Sequence, residues 1–211
     1  MTSGGSPDPH DRFPQGFFDR QDPDDAAFYV PPRLVNHIDD DAIAAVGALY
    51  AELGVAGEVL DLMASWVSHF EPAPRALHLL GMNQAELAAN ANAASAVVHD
   101  LNAEPRFPFD DETFDDAVCC VSIDYLVRPI DVMRDVARVL RPGGRLVCTF
   151  SNRCFPTKAI RGWLTSSDEA RMEIVAEYLR LAGPWGDPVR QRRTPPGHRG
   201  DPLFAVWAVR C

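Results

Sequence analysis

The chain has 211 residues, 46% of them hydrophobic, which is enough for one domain-sized core. Its formal net charge is −10, with a pI near 5.0, so it offers no broad basic face to a nucleic-acid backbone or an anionic membrane, and neither is expected as a partner. Cys119, Cys120, Cys148, Cys154 and Cys211 show no CxxC spacing and no histidines at zinc-ligand intervals, so no metal site is expected. The start of the chain lacks a basic-then-apolar leader and no apolar run reaches bilayer length, which makes a cytoplasmic location the expectation.

Residues 1–27 are rich in Gly, Pro, Asp and Ser and are expected to form a flexible arm, with a single domain over 28–211. On that reading, deleting Met1 to Gln15 leaves stability nearly unchanged. Asp39, Asp40 and Asp41 precede Ile43, Val46, Leu49, Tyr50 and Leu53 at helical spacing, with Gly54 as the stop. Acids at a helix start favour the macrodipole, so capping is preferred to a metal cluster with His37. Short apolar runs follow at Glu58–Leu62, Ala76–Leu80, Ala96–His99 and Asp116–Val121, with an alanine-rich helical stretch over Gln84–Ala94. Pro129 opens a helix with Ile130, Met133, Val136 and Leu140 inward, ended by Pro142-Gly143-Gly144. A fifth strand spans Arg145–Phe150. Ser167 caps a helix that stops at Gly183, and Leu203–Val209 is a strand that an earlier one near Val189 can pair with. Arg190, Arg192, Arg193 and Arg199 read as a solvated loop.

Strands alternating with helices require crossovers and hence a parallel sheet. The expected class is α/β: a doubly wound, mostly parallel Rossmann-like sheet with an antiparallel C-terminal strand. Ligands of such sheets bind beyond the carboxyl ends of the strands. The run Pro108-Phe109-Asp110-Asp111-Glu112-Thr113-Phe114-Asp115-Asp116, then the fourth strand, then Val139-Leu140-Arg141-Pro142-Gly143-Gly144-Arg145-Leu146-Val147, resembles the small-molecule, type 11-like branch of the class I S-adenosylmethionine-dependent methyltransferases. The resemblance implies S-adenosyl-L-methionine as cofactor and methyl transfer to an O, N or S nucleophile of a small molecule.

By the same resemblance, Asp61 organises the loop for the amino acid portion of the cofactor, Asn83 meets the ribose hydroxyls, Asp100 and Leu101 meet the adenine, and Val121 and Ser122 lie beside the sulfonium. One stretch departs from the pattern. Where relatives carry a glycine-rich turn, this chain reads Met63-Ala64-Ser65-Trp66-Val67. Small Ala64 and Ser65 still suit a cofactor loop; without glycine its backbone is expected to avoid positive φ, with the Ser65 hydroxyl compensating by a hydrogen bond to the cofactor. The missing glycines also motivate an alternative, a non-catalytic or regulatory domain that keeps the fold. Tyr125, shortly after the fourth strand, is a weak catalytic candidate against a structural role. Cys154, His69 and His99 show no partner in sequence and favour ordinary packing. Neither G-x-G-x-x-G nor a P-loop is present, which puts dinucleotide and nucleotide-phosphate chemistry behind.

Overall fold

The computed structural model describes residues 7–211. In chain order, its elements are a 3-10 turn at Pro9–Arg12, helix α1 (Asp25–Phe28), α2 (Asp40–Leu53), strands β1 (Glu58–Leu62) and β2 (Ala76–Gly81), α3 (Gln84–Ala89), β3 (Ala93–Val98) and β4 (Phe114–Cys120). Then come α4 (Pro129–Val139), β5 (Leu140–Phe150), α5 (Arg161–Leu164), α6 (Asp168–Ala182), β6 (Val189–Arg192) and β7 (Phe204–Val209). The seven strands form one sheet in the order β3-β2-β1-β4-β5-β7-β6. The first five are parallel, and β7 runs antiparallel between β5 and β6. This is the doubly wound architecture with an antiparallel C-terminal end.

Apolar side chains leave the sheet on both faces, as a parallel sheet covered on two sides demands. Val59, Leu77, Leu79, Val118 and Val147 meet Val46 and Leu49 of α2 on one face. Leu60, Leu80, Ala117, Leu146 and Cys148 meet Ile130, Met133 and Val136 of α4 and Val175 and Leu179 of α6 on the other. Residues one apart thus go to opposite cores. The Asp39 carboxylate accepts from the Ala42 amide at 2.9 Å, the capping role expected of it, and Ser167 caps α6 in the same way.

Three boundaries differ from the sequence reading. The helix after Pro129 gives way at Leu140, because that residue already pairs with Phe114 in the β4–β5 ladder. The alanine-rich helix ends at Ala89, where Asn90 turns the chain into β3 three residues sooner than expected. Arg190 and Arg192 belong to edge strand β6 rather than a loop, and Arg190 pairs with Glu173 of α6.

The largest difference is the N-terminal segment. Met1 to Ser6 lie outside the described residues, but from Asp8 onward the expected flexible arm is packed on the domain. Phe13, Phe17 and Phe18 form an aromatic cluster against Tyr178 of α6, with ring centroids of Phe13 and Tyr178 5.4 Å apart. Backbone bonds from Gly162 to Phe17 (2.9 Å), Arg161 to Asp19 (2.8 Å) and Asp22 to Thr157 (2.9 Å) lock it on. The Phe17 ring occupies the space a β-carbon on Gly162 would need, 2.2 Å away, so only glycine permits this docking. Composition misled here because three phenylalanines and a few backbone bonds outweigh a polar average.

Candidate active site at the sheet switch point

Strand order reverses between β1 and β4, and a cavity of about 230 Å³ opens there at the carboxyl ends of the strands. Asp61, fourth residue of β1, is 4% exposed and lines it. Its Oδ2 accepts from the Ser68 hydroxyl at 2.5 Å, and Ser68 in turn accepts from the Asn90 amide at 2.9 Å. Burial raises the Asp61 carboxyl from 3.8 to about 7, and the Ser68 bond offsets only part of that.

The loop after β1 holds its shape without glycine. Met63 stands at φ +54°, the left-handed conformation expected to be avoided there. A non-glycine residue in that region costs about 1–2 kcal/mol, offset here by tertiary bonds that fix the loop on both sides. The Ala64 amide donates to Leu80 at 2.9 Å, and the Ala64 carbonyl lies 2.3 Å from where a Gly81 β-carbon would sit. The glycine that the turn needs for close approach is therefore Gly81, on the neighbouring strand. Ser65 is placed in the cavity wall, but its hydroxyl donates to Glu86 Oε2 at 2.6 Å, so it braces the protein rather than standing free for a ligand.

Asn83 lies in the cavity wall with no hydrogen-bonding capacity left. Its Oδ1 accepts from the amides of Ala85 (2.9 Å) and Glu86 (3.0 Å), capping α3, and its Nδ2 donates to the carbonyls of Tyr29 (2.8 Å) and Val30 (3.2 Å). An amide has two donors and two acceptor lone pairs, so the expected ribose contact is corrected: Asn83 is a fully committed structural clamp. Asp100 and Leu101 both line the cavity. Asp100 uses Oδ1 for the amides of Asn102 and Ala103, which leaves Oδ2 without a protein partner among the described residues.

At the end of β4, Val121 takes φ +46°, and its amide still donates to Thr149 of β5 at 2.8 Å. A β-branched residue in that conformation is strained, and strain of this kind collects at ligand sites. The Ser122 hydroxyl donates to the Cys120 carbonyl at 3.0 Å. Tyr125 also reaches the cavity, stacked on Phe155, and its hydroxyl accepts from the Phe155 amide at 2.9 Å. Burial pushes its phenol well above the ordinary value, so it is a protonated anchor and no base. The Cys154 thiol is likewise raised by burial, while burial lowers His37 and His69, leaving two neutral imidazoles in the same walls.

The roof comes from residues 25–38, which the sequence did not place at the site. Asp25 is buried and accepts from Arg20 (2.8 and 2.9 Å), Lys158 (2.8 Å) and Asn102 (2.8 Å). Lys158 is fully buried and also donates to the carbonyls of Asp22 and Asp24. This network ties the roof to the loops after β3 and β5. A signal for it existed, since Lys158 is the single lysine among 20 cationic residues. Glu86 gave none, being an ordinary exposed-looking acid in an alanine-rich helix; only the fold shows it buried in the cavity wall, accepting from Ser65 and from the Arg33 amide at 2.6 Å. Arg33 lays its guanidinium 4.3 Å from the Phe28 ring centroid and 5.5 Å from that of Phe155.

Comparison with known proteins agrees with this layout. Residues 53–148 match a methyltransferase domain family. Curated relatives include an uncharacterized methyltransferase of Mycobacterium tuberculosis and one of Mycobacterium bovis, each 34% identical over 96 residues, 46% of this chain and 33% of theirs. The match thus spans about a third of the relatives' own length. Among solved structures, the [4+2]-cyclase SpnF is similar at TM-score 0.57 and 16% identity, covering 85% of this chain and 89% of that one. An S-adenosylmethionine-dependent methyltransferase from Mesorhizobium loti is similar at TM-score 0.53 and 16% identity, covering 77% and 96%. Geranyl diphosphate C-methyltransferase from Streptomyces coelicolor gives 0.53 and 15%, covering 80% and 77%. The sheet order and these solved structures give the chain the fold of the class I S-adenosylmethionine-dependent methyltransferases, and residues 53–148, somewhat under half of the chain, carry the match to the methyltransferase domain family.

Proposed function

We propose that this chain transfers a methyl group from S-adenosyl-L-methionine to an O, N or S nucleophile of a small molecule. The observation that carries the reading is three carboxylates, Asp61, Glu86 and Asp100, lining one roofed cavity at the switch point. Such a lining suits a ligand that carries a sulfonium and an ammonium, because an opposite charge offsets the desolvation of each buried carboxylate. The residues present fit that ligand: Asp61 faces the cavity from β1, Asp100 retains a free oxygen, and Gly81 lets the loop pack flat beneath it.

When bound, the cofactor supplies an already activated methyl group, so the protein's share is alignment and exclusion of water. Val121 and Ser122 form the floor where β4 ends. The roof from Asp25 to Ile38 shields the reacting centre. His37 and His69, neutral in the cavity wall, are groups able to take a proton from an acceptor hydroxyl, amine or thiol. A cavity of about 230 Å³ beneath the roof favours a small acceptor over a macromolecule. No helix among the described residues is long and apolar enough to cross a membrane, and five unpaired thiols suit a reducing compartment, so a cytoplasmic setting is part of the proposal.

Calorimetric titration with S-adenosylmethionine and S-adenosylhomocysteine tests the reading, followed by a methyl-transfer screen over small hydroxyl, amine and thiol compounds beside tRNA and protein. Binding of both cofactor forms is expected, with transfer confined to the small compounds. Folded protein that binds neither would instead be a domain that kept the fold and lost the ligand, a reading that the committed Asn83 favours.

A further inference from the structure

We infer that Glu86, three residues into α3, is the carboxylate that receives the ribose hydroxyls of the cofactor, and that the same carboxylate ties the cofactor to the roof. The inference rests on the proposed cofactor and goes beyond it, since Asn83 is the residue that the resemblance puts in that role.

The argument starts from hydrogen-bond capacity. Asn83 has all four positions filled by protein groups. Glu86 is 8% exposed and lines the cavity, yet each of its oxygens accepts only once: Oε1 from the Arg33 amide and Oε2 from the Ser65 hydroxyl, both at 2.6 Å. A carboxylate offers about four acceptor positions, so one on each oxygen remains. A vicinal diol presents two hydroxyl donors on adjacent carbons and matches two oxygens of one carboxylate, in bonds strengthened by the charge.

Topology places this residue in the right order. Along the crevice the sheet runs β3, β2, β1, β4, and the cavity meets Asp100 after β3, Glu86 after β2, Asp61 on β1 and Ser122 after β4. With the nucleobase at Asp100 and the sulfonium near Ser122, the ribose that joins them covalently crosses the ends of β2 and β1. Of the two carboxylates there, Glu86 follows β2, next to the nucleobase end, and Asp61 stands on β1, next to the sulfonium end, so Glu86 is the one the ribose meets beside the base.

Glu86 and its two donors come from three separate elements: α3, the loop after β1 with Ser65, and the roof with Arg33. A diol bound there completes the coordination of a carboxylate that also holds the Arg33 backbone, so cofactor binding and roof closure share one residue. Ser65, in the glycine-free loop after β1, supplies the second brace.

The test compares binding of S-adenosylhomocysteine with that of its 2′-deoxy and 3′-deoxy analogues, by calorimetry, in the full chain and in Glu86→Gln and Glu86→Asp. The wild type is expected to prefer the parent compound at least tenfold over either analogue, in line with a charge-assisted bond. Glu86→Gln should reduce that preference to threefold or less while thermal unfolding shows a folded protein. Glu86→Asp keeps the charge, withdraws it by one methylene and should give the same loss. Asn83→Ala should lower the melting temperature and leave the preference intact. A tenfold preference that survives in Glu86→Gln, or its loss in Asn83→Ala alone, overturns the assignment and spares the proposed function. Absence of any S-adenosylhomocysteine binding by the folded wild type overturns both.

Discussion

The two sides of the crevice are built from different chemistry. Over β1, β2 and β3 the wall is acidic, with Asp61, Glu86 and Asp100 on short loops pinned by backbone and hydroxyl bonds. Over β4 and β5 it is aromatic and cationic, with Tyr125, Phe155, Arg33 and the roof. The first side is set by local turns at strand ends, and the second by a segment some hundred residues away in sequence, as in the bond from Arg20 to the Tyr125 carbonyl, 105 positions apart. The contrast teaches that the acidic side is set by the sheet, while the aromatic side depends on whether residues 13–38 stay docked.

Breaking the docking should have the largest effect. Asp25→Ala leaves Arg20 and Lys158 buried without their shared carboxylate, and breaking such a group costs about 3–5 kcal/mol. Urea unfolding checks this, and a loss under 1 kcal/mol would show the network to be dispensable. Affinity for S-adenosylhomocysteine should survive better in this variant than stability does.

The acidic side sharpens next through pH. Asp61 has a folded pKa raised above its unfolded value, so the folded state binds more protons between about pH 4 and pH 7. Stability from this group is therefore lost as pH rises through that window. Binding of a ligand with an ammonium has the opposite sign: affinity should rise with pH, by up to about tenfold per unit, and level off above pH 7. Asp61→Asn should weaken binding on the order of tenfold at pH 8 and flatten the profile. A profile equally steep in the variant would assign the titration elsewhere. Asp124 behaves alike in stability, its carboxyl raised to about 8 by burial with Oδ2 unpartnered, so Asp124→Asn should gain stability at pH 9.

A smaller effect is expected from truncation. Deleting residues 1–15 removes Phe13 from the cluster on Tyr178 and should cost about 1–3 kcal/mol, the worth of a largely buried aromatic ring. Phe13→Ala in the full chain should account for much of that loss, and an unchanged melting temperature in it would mean that the Phe13 ring adds nothing to the docking. The smallest change is Tyr125→Phe, which strands the Phe155 amide and should cost about 1 kcal/mol. Methyl transfer should be little altered, because the phenol is protonated throughout the working pH range; a loss above a hundredfold with unchanged cofactor affinity would restore Tyr125 as a catalytic group.

By itself, the sequence determined what depends on neighbours along the chain. The apolar runs at 58–62, 76–80 and 116–121, the caps at Asp39 and Ser167, and the alternation of strand and helix fixed a parallel sheet and the strand ends where ligands bind. Asp61, Ala64, Asp100, Leu101, Val121 and Ser122 fell at the cavity for that reason, since a residue that ends a parallel strand has only one rim to occupy. Three things only the tertiary structure decided. Met63 and Val121 keep left-handed backbones without glycine, because bonds to β2 and β5 outweigh a local preference of one or two kcal/mol. Asn83 spends its amide on the roof, because that segment passes over α3. Glu86 becomes a buried acceptor because the loop after β1 and the N-terminal segment meet above it, a convergence of elements 21 and 53 positions apart that no local pattern encodes.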